Sequence, residues 1–224
     1  MSESGDILVC FAVKEEAAPF RKSICGKPGL RILVTGMGQR NAATGIGAAF
    51  AAGKPKLVLT CGFAGALTPE LREGQIIFAT KEAALGNALT AEGGRPVRFH
   101  CDERVAATVK EKQLLRRETG CDAVEMESGA ICGFCEGREV TSATVRVVLD
   151  EAGQDLPLDF NRVMTDKMEV DYFMLTLALV RRPGIIAGLV RFQTQARRAA
   201  ERLAAFLVKA IDRFEDEAGA KNET

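Results

Sequence analysis

The sequence predicts an α/β fold, a three-layer sandwich in which a mixed central sheet is flanked by helices. Short apolar runs, typical of buried strands, alternate along the chain with longer windows of helical character. The runs are apolar throughout and do not alternate with polar residues, which indicates strands that are covered on both faces. The length of 224 residues is sufficient for one domain with a large hydrophobic core.

The predicted elements follow one another in a regular order. Predicted strands cover residues 7–13, 31–34, 57–62, 75–80 and 140–149. Predicted helices cover residues 15–22, 41–52, 105–119, 127–136 and most of the chain after residue 158. Residues 83–96 contain Gly, Asn and Pro without periodicity, which predicts a loop. We expect a single domain over residues 1–214 and a frayed polar tail at 215–224.

Charge and composition argue against several classes of protein. The chain has 30 basic and 30 acidic residues, so nucleic-acid binding through the whole surface is not expected, because it depends on neutralising phosphates. The amino terminus is acidic where a secretion signal is basic, and the seven cysteines have no regular spacing. Cys132 and Cys135 lack the further ligands of a zinc site. We expect a cytoplasmic protein without a metal or a cofactor.

Acidic residues lie next to the ends of several predicted strands. Glu16 follows the first strand, and Glu125 and Glu127 follow a short apolar run. Asp150 ends a strand that also contains Arg146. If these strand ends converge, the carboxyl groups can protonate a leaving group, position water and stabilise a cationic sugar. The alternative is that they are solvated acids at helix starts, where the helix dipole favours negative charge.

Glycines after the second and third strands form two further candidate binding turns. They are residues 36–38 (Gly-Met-Gly) and 61–65 (Cys-Gly-Phe-Ala-Gly). Both lie at carboxyl ends of predicted strands, where open α/β sheets bind ligands. Glycine lets the backbone approach a ligand closely, although a tight turn without function is the alternative. Neither turn is a P-loop, because no Gly-Lys-Ser/Thr follows.

Four segments stand in a fixed order along the chain. They are residues 12–16 (Ala-Val-Lys-Glu-Glu), 35–43 (Thr-Gly-Met-Gly-Gln-Arg-Asn-Ala-Ala), 61–67 (Cys-Gly-Phe-Ala-Gly-Ala-Leu) and 123–128 (Ala-Val-Glu-Met-Glu-Ser). Together with residues 145–150 (Val-Arg-Val-Val-Leu-Asp), they resemble the purine/uridine phosphorylase and methylthioadenosine/adenosylhomocysteine nucleosidase superfamily. The resemblance implies a nucleoside phosphorylase-like fold, a homodimer and an enzyme that cleaves N-ribosidic bonds.

The resemblance also implies a role for each acidic residue. Asp150 would protonate the purine at N7, and Glu127 would bind the ribose hydroxyls with Met126 packed beneath the sugar. Glu16 would hold the attacking water, and Arg146 would orient these acids. Cleavage builds positive charge on the ribose, which ionised carboxylates stabilise while one acid must keep its proton. A partly buried Asp with a raised pKa beside ionised Glu side chains satisfies both needs.

Other substrate contacts are expected from the loops. These residues are Gly38, Phe63, Ala64, Gly65, Val105, Val124 and Glu125. Two positions depart from the superfamily pattern. Phe63 replaces the usual Ser or Thr and removes a hydroxyl, and Leu149 stands before Asp150 where a Ser is common. The stretch between residues 80 and 122 is shorter than in methylthioadenosine nucleosidases, so Val105 is only a candidate contact for adenine.

Three further segments carry a narrower resemblance. They are residues 104–128, 155–162 (Asp-Leu-Pro-Leu-Asp-Phe-Asn-Arg) and 179–184 (Leu-Val-Arg-Arg-Pro-Gly). They are similar to the hopanoid-associated branch of the superfamily, in which the expected substrate is adenosylhopane. We therefore expect a nucleosidase that releases adenine from an adenosyl compound, with adenosylhopane as the substrate that this branch implies.

The sequence allows alternatives for the attacking nucleophile and for the class of activity. Relatives that use phosphate carry Arg in the first-strand loop and before the third-strand Gly, whereas this chain has Lys-Glu-Glu at 14–16 and Leu-Thr-Cys at 59–61. Because phosphate needs fixed arginines, water is the expected nucleophile. A phosphate-dependent purine nucleoside phosphorylase, with Arg40 reaching inward, is the first alternative. A catalytically weak nucleoside- or lipid-binding protein is the second, because Phe63 and Leu149 depart from the pattern.

The carboxy-terminal segment is basic and amphipathic. Between Arg181 and Arg213 it has eight basic and two acidic residues, and residues 183–190 form an apolar stretch within it. Such a segment can rest on an anionic membrane surface. We expect peripheral membrane contact that presents the site to a lipid substrate. The alternative is a helix packed on the sheet with a charged outer face.

Overall fold

The computed structural model describes residues 6–165, Met168, Met174 and 183–222. Within them, one mixed sheet contains the strands β1 (Ile7–Phe11), β2 (Leu30–Val34), β3 (Leu57–Ala66), β4 (Ile76–Thr80), β5 (Arg95–Pro96), β6 (Phe99–Cys101), β7 (Ala123–Glu125) and β8 (Thr141–Asp150). The helices in the same part of the chain are α1 (Lys14–Ser23), α2 (Gln39–Ala51), α3 (Ala83–Ala91), α4 (Val109–Thr119), α5 (Ser128–Glu136) and α6 (Ile186–Asn222).

The order of the strands brings three carboxyl ends together. β1 lies between β2 and β3 in parallel register, and β8 pairs with β3 in the same direction. β4 is antiparallel to β8, and β7 is antiparallel to the end of β3. The register between β3 and β8 shifts at their ends, so that Gly65 lies opposite Asp150. A bulge of this kind changes the direction of the side chains that follow it, and here it lies where β8 delivers Asp150.

Both faces of the sheet are buried, which confirms the predicted three-layer sandwich. Along β1, Ile7, Val9 and Phe11 pack in the cluster that includes α1, α3 and α6. Leu8 and Cys10 pack in the cluster formed with α2 and α5. Successive side chains of a strand point to opposite faces, so a core on both sides requires an uninterrupted apolar run.

The prediction of a loop over residues 83–96 is wrong, because α3 and β5 occupy most of it. Leu85, Ala88 and Leu89 are spaced three and four residues apart and are all buried. This spacing places them on one face of a helix. Leu85 and Leu89 pack in the same hydrophobic cluster as α6, and Ala88 is fully buried. The packing outweighs the low helix propensity of Gly86 within α3.

The last helix is longer than predicted. α6 has 37 residues, packs against α1, α3 and β8, and continues through residues 215–222, where a frayed tail was expected. Residues 179–182, which contribute to the narrower resemblance, lie outside the described residues. Among the helices in the described ranges, none combines the length and the apolar character needed to cross a membrane.

Candidate active site

A cavity of about 360 Å³ lies at the carboxyl ends of β1, β3 and β8. The predicted site residues that line it are Glu16, Phe63, Ala64, Gly65, Val105, Val124, Glu125, Met126, Glu127 and Asp150. The remaining two, Gly38 and Arg146, lie behind this wall and contact its glutamates. The fold therefore brings together residues that are far apart in the sequence.

Backbone amides hold Glu16 at the start of α1. Its carboxylate accepts hydrogen bonds from the amides of Ala12 (3.1 Å), Val13 (3.3 Å) and Phe63 (3.1 Å). The contact from position 63 uses the backbone, so the missing hydroxyl is not needed to hold Glu16. Gly62 allows this close approach, because a Cβ there would lie 2.8 Å from Glu16 Oε1.

Burial weakens the acidity of Glu16. The side chain is buried, and this desolvation raises its pKa to about 7, with a further contribution from the negative charge of Glu127. The opposite pull of Arg146 and of the backbone hydrogen bonds is smaller. A carboxylate with this pKa can take up a proton near neutral pH.

The raised pKa of Glu16 predicts a change of stability with pH. Because the ordinary pKa is 4.5, the folded state binds this proton more tightly than the unfolded state. The resulting stabilisation is fully present below pH 4.5 and is lost as the pH rises through 7. The free energy of unfolding of the wild type should fall by about 3 kcal/mol relative to Glu16→Gln over this interval. Urea unfolding of both proteins across the range measures it, and a difference that does not vary with pH would contradict it.

A buried arginine joins the glutamates behind the cavity. The Nη2 atom of Arg146 lies 2.5 Å from Glu125 Oε2, 3.5 Å from Glu127 Oε2 and 3.1 Å from Thr60 Oγ1. Only 1% of the arginine is exposed. Burial acts to lower the pKa of the guanidinium, but Glu125, Glu127 and Glu16 together raise it above its ordinary value. Arg146 therefore stays charged and holds negative charge on this side of the site.

The two glutamates beside Met126 differ in acidity. Burial raises the pKa of Glu127, and the nearby charge of Glu125 adds to this against the pull of Arg146. The Oε1 atom of Glu127 accepts the amide of Gly38 at 2.8 Å, which ties the turn after β2 to the site. Burial also acts to raise the pKa of Glu125, but Arg146 and the Ser128 hydrogen bonds outweigh it, so that pKa lies below its usual value.

The carboxylate of Glu125 is occupied by protein groups. Its Oε1 atom accepts the hydroxyl of Ser128, and its Oε2 atom accepts the amides of Glu127 and Ser128 together with Arg146. These contacts favour a positioning role for Glu125 over the substrate contact predicted for it. The same contacts tie Glu125 to Arg146 and to the first turn of α5.

Asp150 lies beside a buried lysine that the sequence analysis missed. The ammonium of Lys112 forms an ion pair with Asp150 Oδ2 and donates to the carbonyls of Glu151 (2.8 Å) and Gln154 (2.7 Å). Burial raises the pKa of Asp150 and outweighs the opposite effect of Lys112. No signal in the sequence pointed to this pair, because α4 buries Lys112 and leaves the apolar Leu114 50% exposed.

Apolar side chains from later segments complete the cavity. They include Leu156, Phe160, Met164 and Phe192, none of which was predicted as a site residue. The rings of Phe160 and Phe192 lie 5.5 Å apart, so the segment after β8 packs against the start of α6 at this wall. A cavity with a few polar groups and an otherwise apolar lining suits a ligand with one polar and one apolar part.

The fold and the acid-lined cavity are those expected of the class that contains nucleosidases and nucleoside phosphorylases. The chain belongs to the Phosphorylase superfamily, whose family profile matches residues 11–111 and 97–212. The predicted superfamily and fold are thereby confirmed. The narrower, hopanoid-associated resemblance is not part of this finding.

Similar proteins are nucleosidases. The chain is 26% identical over 168 residues to a 5′-methylthioadenosine/S-adenosylhomocysteine nucleosidase of Anoxybacillus flavithermus, across 59% of this chain and 72% of that protein. It is 25% identical over 146 residues to an aminodeoxyfutalosine nucleosidase of Campylobacter jejuni, across 50% and 64%. The structure of the futalosine hydrolase of Helicobacter pylori has a TM-score of 0.71 at 14% identity and covers 95% of this chain and 99% of that one. The two sequence relatives agree with the predicted class of enzyme, and the solved structure shows the same fold.

Proposed function

We propose that the protein is a nucleosidase that cleaves the N-ribosidic bond of an adenosyl compound and releases adenine. The observation that carries the proposal is that the buried carboxyl groups of Glu16, Glu127 and Asp150 share one cavity. Burial raises the pKa of all three, which suits carboxyl groups that must give up or take up a proton when a glycosidic bond is cleaved. The nucleosidase relatives support the same activity.

Each group then has a defined part in the reaction. Asp150 transfers its proton to N7 of the purine, and the electron pair of the C1′–N9 bond leaves with the base. Water attacks C1′ and gives up a proton to Glu16, whose pKa of about 7 suits this step. Glu127 binds the ribose hydroxyls above Met126. The developing charge on the ribose is stabilised by the ionised glutamates, which Arg146 keeps in place.

Water is favoured over phosphate as the nucleophile. Arg40, the predicted phosphate ligand of the alternative, is exposed on α2 and does not line the cavity. Arg146 forms ion pairs with Glu125 and Glu127. Arg104, which does contribute to the lining, is itself exposed to solvent. A phosphate dianion would therefore meet carboxylates near the reacting carbon and no fixed arginine fork.

We further propose that the ribose of the substrate carries an apolar group. The cavity wall formed by Leu156, Phe160, Met164 and Phe192 offers it an apolar surface. Adenosylhopane, the substrate of the hopanoid-associated branch, fits this requirement and is our candidate.

A substrate panel tests the proposed function. The protein is incubated with methylthioadenosine, adenosylhomocysteine, adenosine and adenosylhopane, each with and without phosphate, and free adenine is quantified. We expect release without phosphate, fastest for the substrate with the large apolar group. Release that depends on phosphate would identify a phosphorylase. Binding of adenine without turnover of any substrate would identify a binding protein.

We also propose that the start of α6 contacts an anionic membrane. Ile186 and Val190 are 49% and 57% exposed, and their spacing from one another and from Arg197 places the three on one helix face. Phe192, two residues after Val190, lines the cavity from the opposite face of the same helix, so this surface lies on the outer side of a helix that helps to enclose the site. An exposed apolar pair beside basic residues suits the interface of an anionic bilayer.

Vesicle co-sedimentation tests this contact. Wild-type protein should bind vesicles that contain phosphatidylglycerol more strongly than vesicles of phosphatidylcholine alone. Replacing Ile186 and Val190 with serine should remove the binding, whereas Leu114→Ser, at an equally exposed leucine on α4, should not. Equal binding by both variants would refute the proposal.

The superfamily resemblance also implies a homodimer, which we retain as a proposal. Light scattering under the assay conditions tests it, because a monomer has a mass of 24.1 kDa and a dimer twice that value.

A further inference from the structure

A lysine with no exposed surface lies next to the proposed acid. Lys112 is 0% exposed, and three oxygens surround its ammonium, those of Asp150, Glu151 and Gln154. The ammonium donates hydrogen bonds to the two carbonyls and forms an ion pair with the Asp150 carboxyl group. Burial of a charge is unfavourable unless the charge is paired, and an apolar side chain of similar volume often replaces a buried pair without loss of stability. Stability alone therefore gives little reason for a charged residue at this position.

The chemistry at Asp150 supplies a reason. When this residue gives up its proton, it becomes a carboxylate in a site where only 5% of the residue is exposed. A buried carboxylate without a partner is highly unfavourable, so the residue would then be a poor acid. A positive charge already in contact with the carboxyl group offsets this cost at the moment of transfer.

We propose that Lys112 is a positioning residue that stabilises the carboxylate formed when Asp150 protonates the purine. The inference rests on the proposed function. The proton moves from Asp150 to N7 and the electron pair of the C–N bond goes to the base, while Lys112 keeps all three of its protons. Its two carbonyl contacts anchor the ammonium, so the charge does not have to reorganise during the reaction.

Among the described residues, other charged groups near Asp150 do not provide this positive charge. The carboxylate of the adjacent Glu151 is paired with Arg72 at 3.1 Å. Arg146 contacts glutamates on the other side of the site. The charged side chains that line the cavity are Glu16, Arg104, Glu125, Glu127 and Asp150. Of these, Arg104 is exposed and the others are acids, which leaves Lys112 as the cation in contact with Asp150.

The test compares the wild type with Lys112→Met, which has a similar volume and an unbranched side chain one atom shorter, and removes the charge. The kcat of adenine release should fall by about 10- to 100-fold, with KM changed by less than about threefold. Asp150→Asn should remove the limb of the pH–rate profile that reports ionisation of Asp150. In Lys112→Met this limb should move to higher pH by about one unit or more, because an adjacent cation lowers the pKa of an acid. A purely structural role would reduce the amount of active protein and leave that limb in place.

Two further variants separate an effect of Lys112 through Asp150 from a purely structural effect. If Lys112 acts through Asp150, Lys112→Met should change the residual rate of Asp150→Asn by less than about twofold. An equal loss in both backgrounds, or a limb that does not move in a folded Lys112→Met, overturns the inference. If Lys112→Met does not fold, Lys112→Arg, which keeps the charge, becomes the deciding variant. Its pH limb should remain at the wild-type position, and a shift to higher pH would overturn the inference.

The same data distinguish the inference from the proposed function. If the wild type releases no adenine from any substrate, both fail. If the wild type is active and Lys112→Met retains the wild-type kcat and pH profile, the inference alone fails and the nucleosidase proposal stands.

Discussion

Replacement of Asp150 with asparagine is expected to lower the kcat of adenine release by about 10²- to 10⁴-fold, the range for removal of a general acid. Asparagine has almost the same shape and offers Lys112 an amide oxygen in place of the carboxyl group, but its amide cannot transfer a proton to N7. The variant should fold, with some loss of stability because the buried ammonium no longer faces a carboxyl group. Single-turnover release of adenine, together with circular dichroism and urea unfolding, measures both effects.

A matched control for Asp150→Asn is available on the same strand end. Glu151 is the next residue, and its carboxylate is paired with Arg72 and does not line the cavity. Glu151→Gln should therefore keep kcat within about twofold of the wild type, since the rate responds to groups that touch the substrate. Undiminished turnover in a folded Asp150→Asn would remove Asp150 from the mechanism.

Replacement of Arg146 with methionine is expected to reduce the free energy of unfolding by about 3–5 kcal/mol and to slow turnover by about 10²-fold. The loss arises because Glu125 and Glu127 would remain buried without their cation, and an unpaired buried charge is far more unfavourable than an intact pair. Misplacement of Glu127 should raise KM and lower kcat together. Urea unfolding and steady-state kinetics measure these effects.

Two comparisons make the Arg146 experiment specific. Arg72→Met breaks an ion pair in which the arginine side chain is 70% exposed, and should change the stability by less than about 1 kcal/mol. Adding Glu125→Gln to Arg146→Met removes one of the stranded charges and should restore part of the stability without restoring turnover. The explanation fails if Arg146→Met is no more destabilising than Arg72→Met.

The part of the candidate site that lies at the ends of strands was predictable from the sequence. Glu16 and Asp150 follow apolar runs that are recognisable as strands, and the carboxyl ends of parallel strands meet at one edge of a sheet. The Val-Glu-Met-Glu segment added Glu127 through its resemblance to a superfamily. These residues line one cavity, as the sequence analysis expected. Their partners were harder to predict, because a hydrogen-bonding partner is set by distance in space and not by spacing in the chain.

Phe63 contributes to the site through its backbone as well as by lining the cavity. Its identity predicts the loss of a hydroxyl from the expected nucleophile site, and its backbone amide donates a hydrogen bond to Glu16. Every residue other than proline offers this donor, so the contact leaves no trace in the residue type. The carboxylate of Glu125 likewise has a partner that its position in the chain did not indicate, the guanidinium of Arg146.

By itself, the sequence determined the three-layer α/β architecture, the superfamily and the acidic residues that gather at the strand ends. Apolar periodicity and strand boundaries are local properties, and they specify which faces must be buried. The tertiary structure alone decided that α4 buries Lys112 against Asp150 while Leu114 faces solvent, and that Phe160 and Phe192 close the cavity. A buried charge is stable only where distant segments supply its partners, so its position depends on how the whole chain packs.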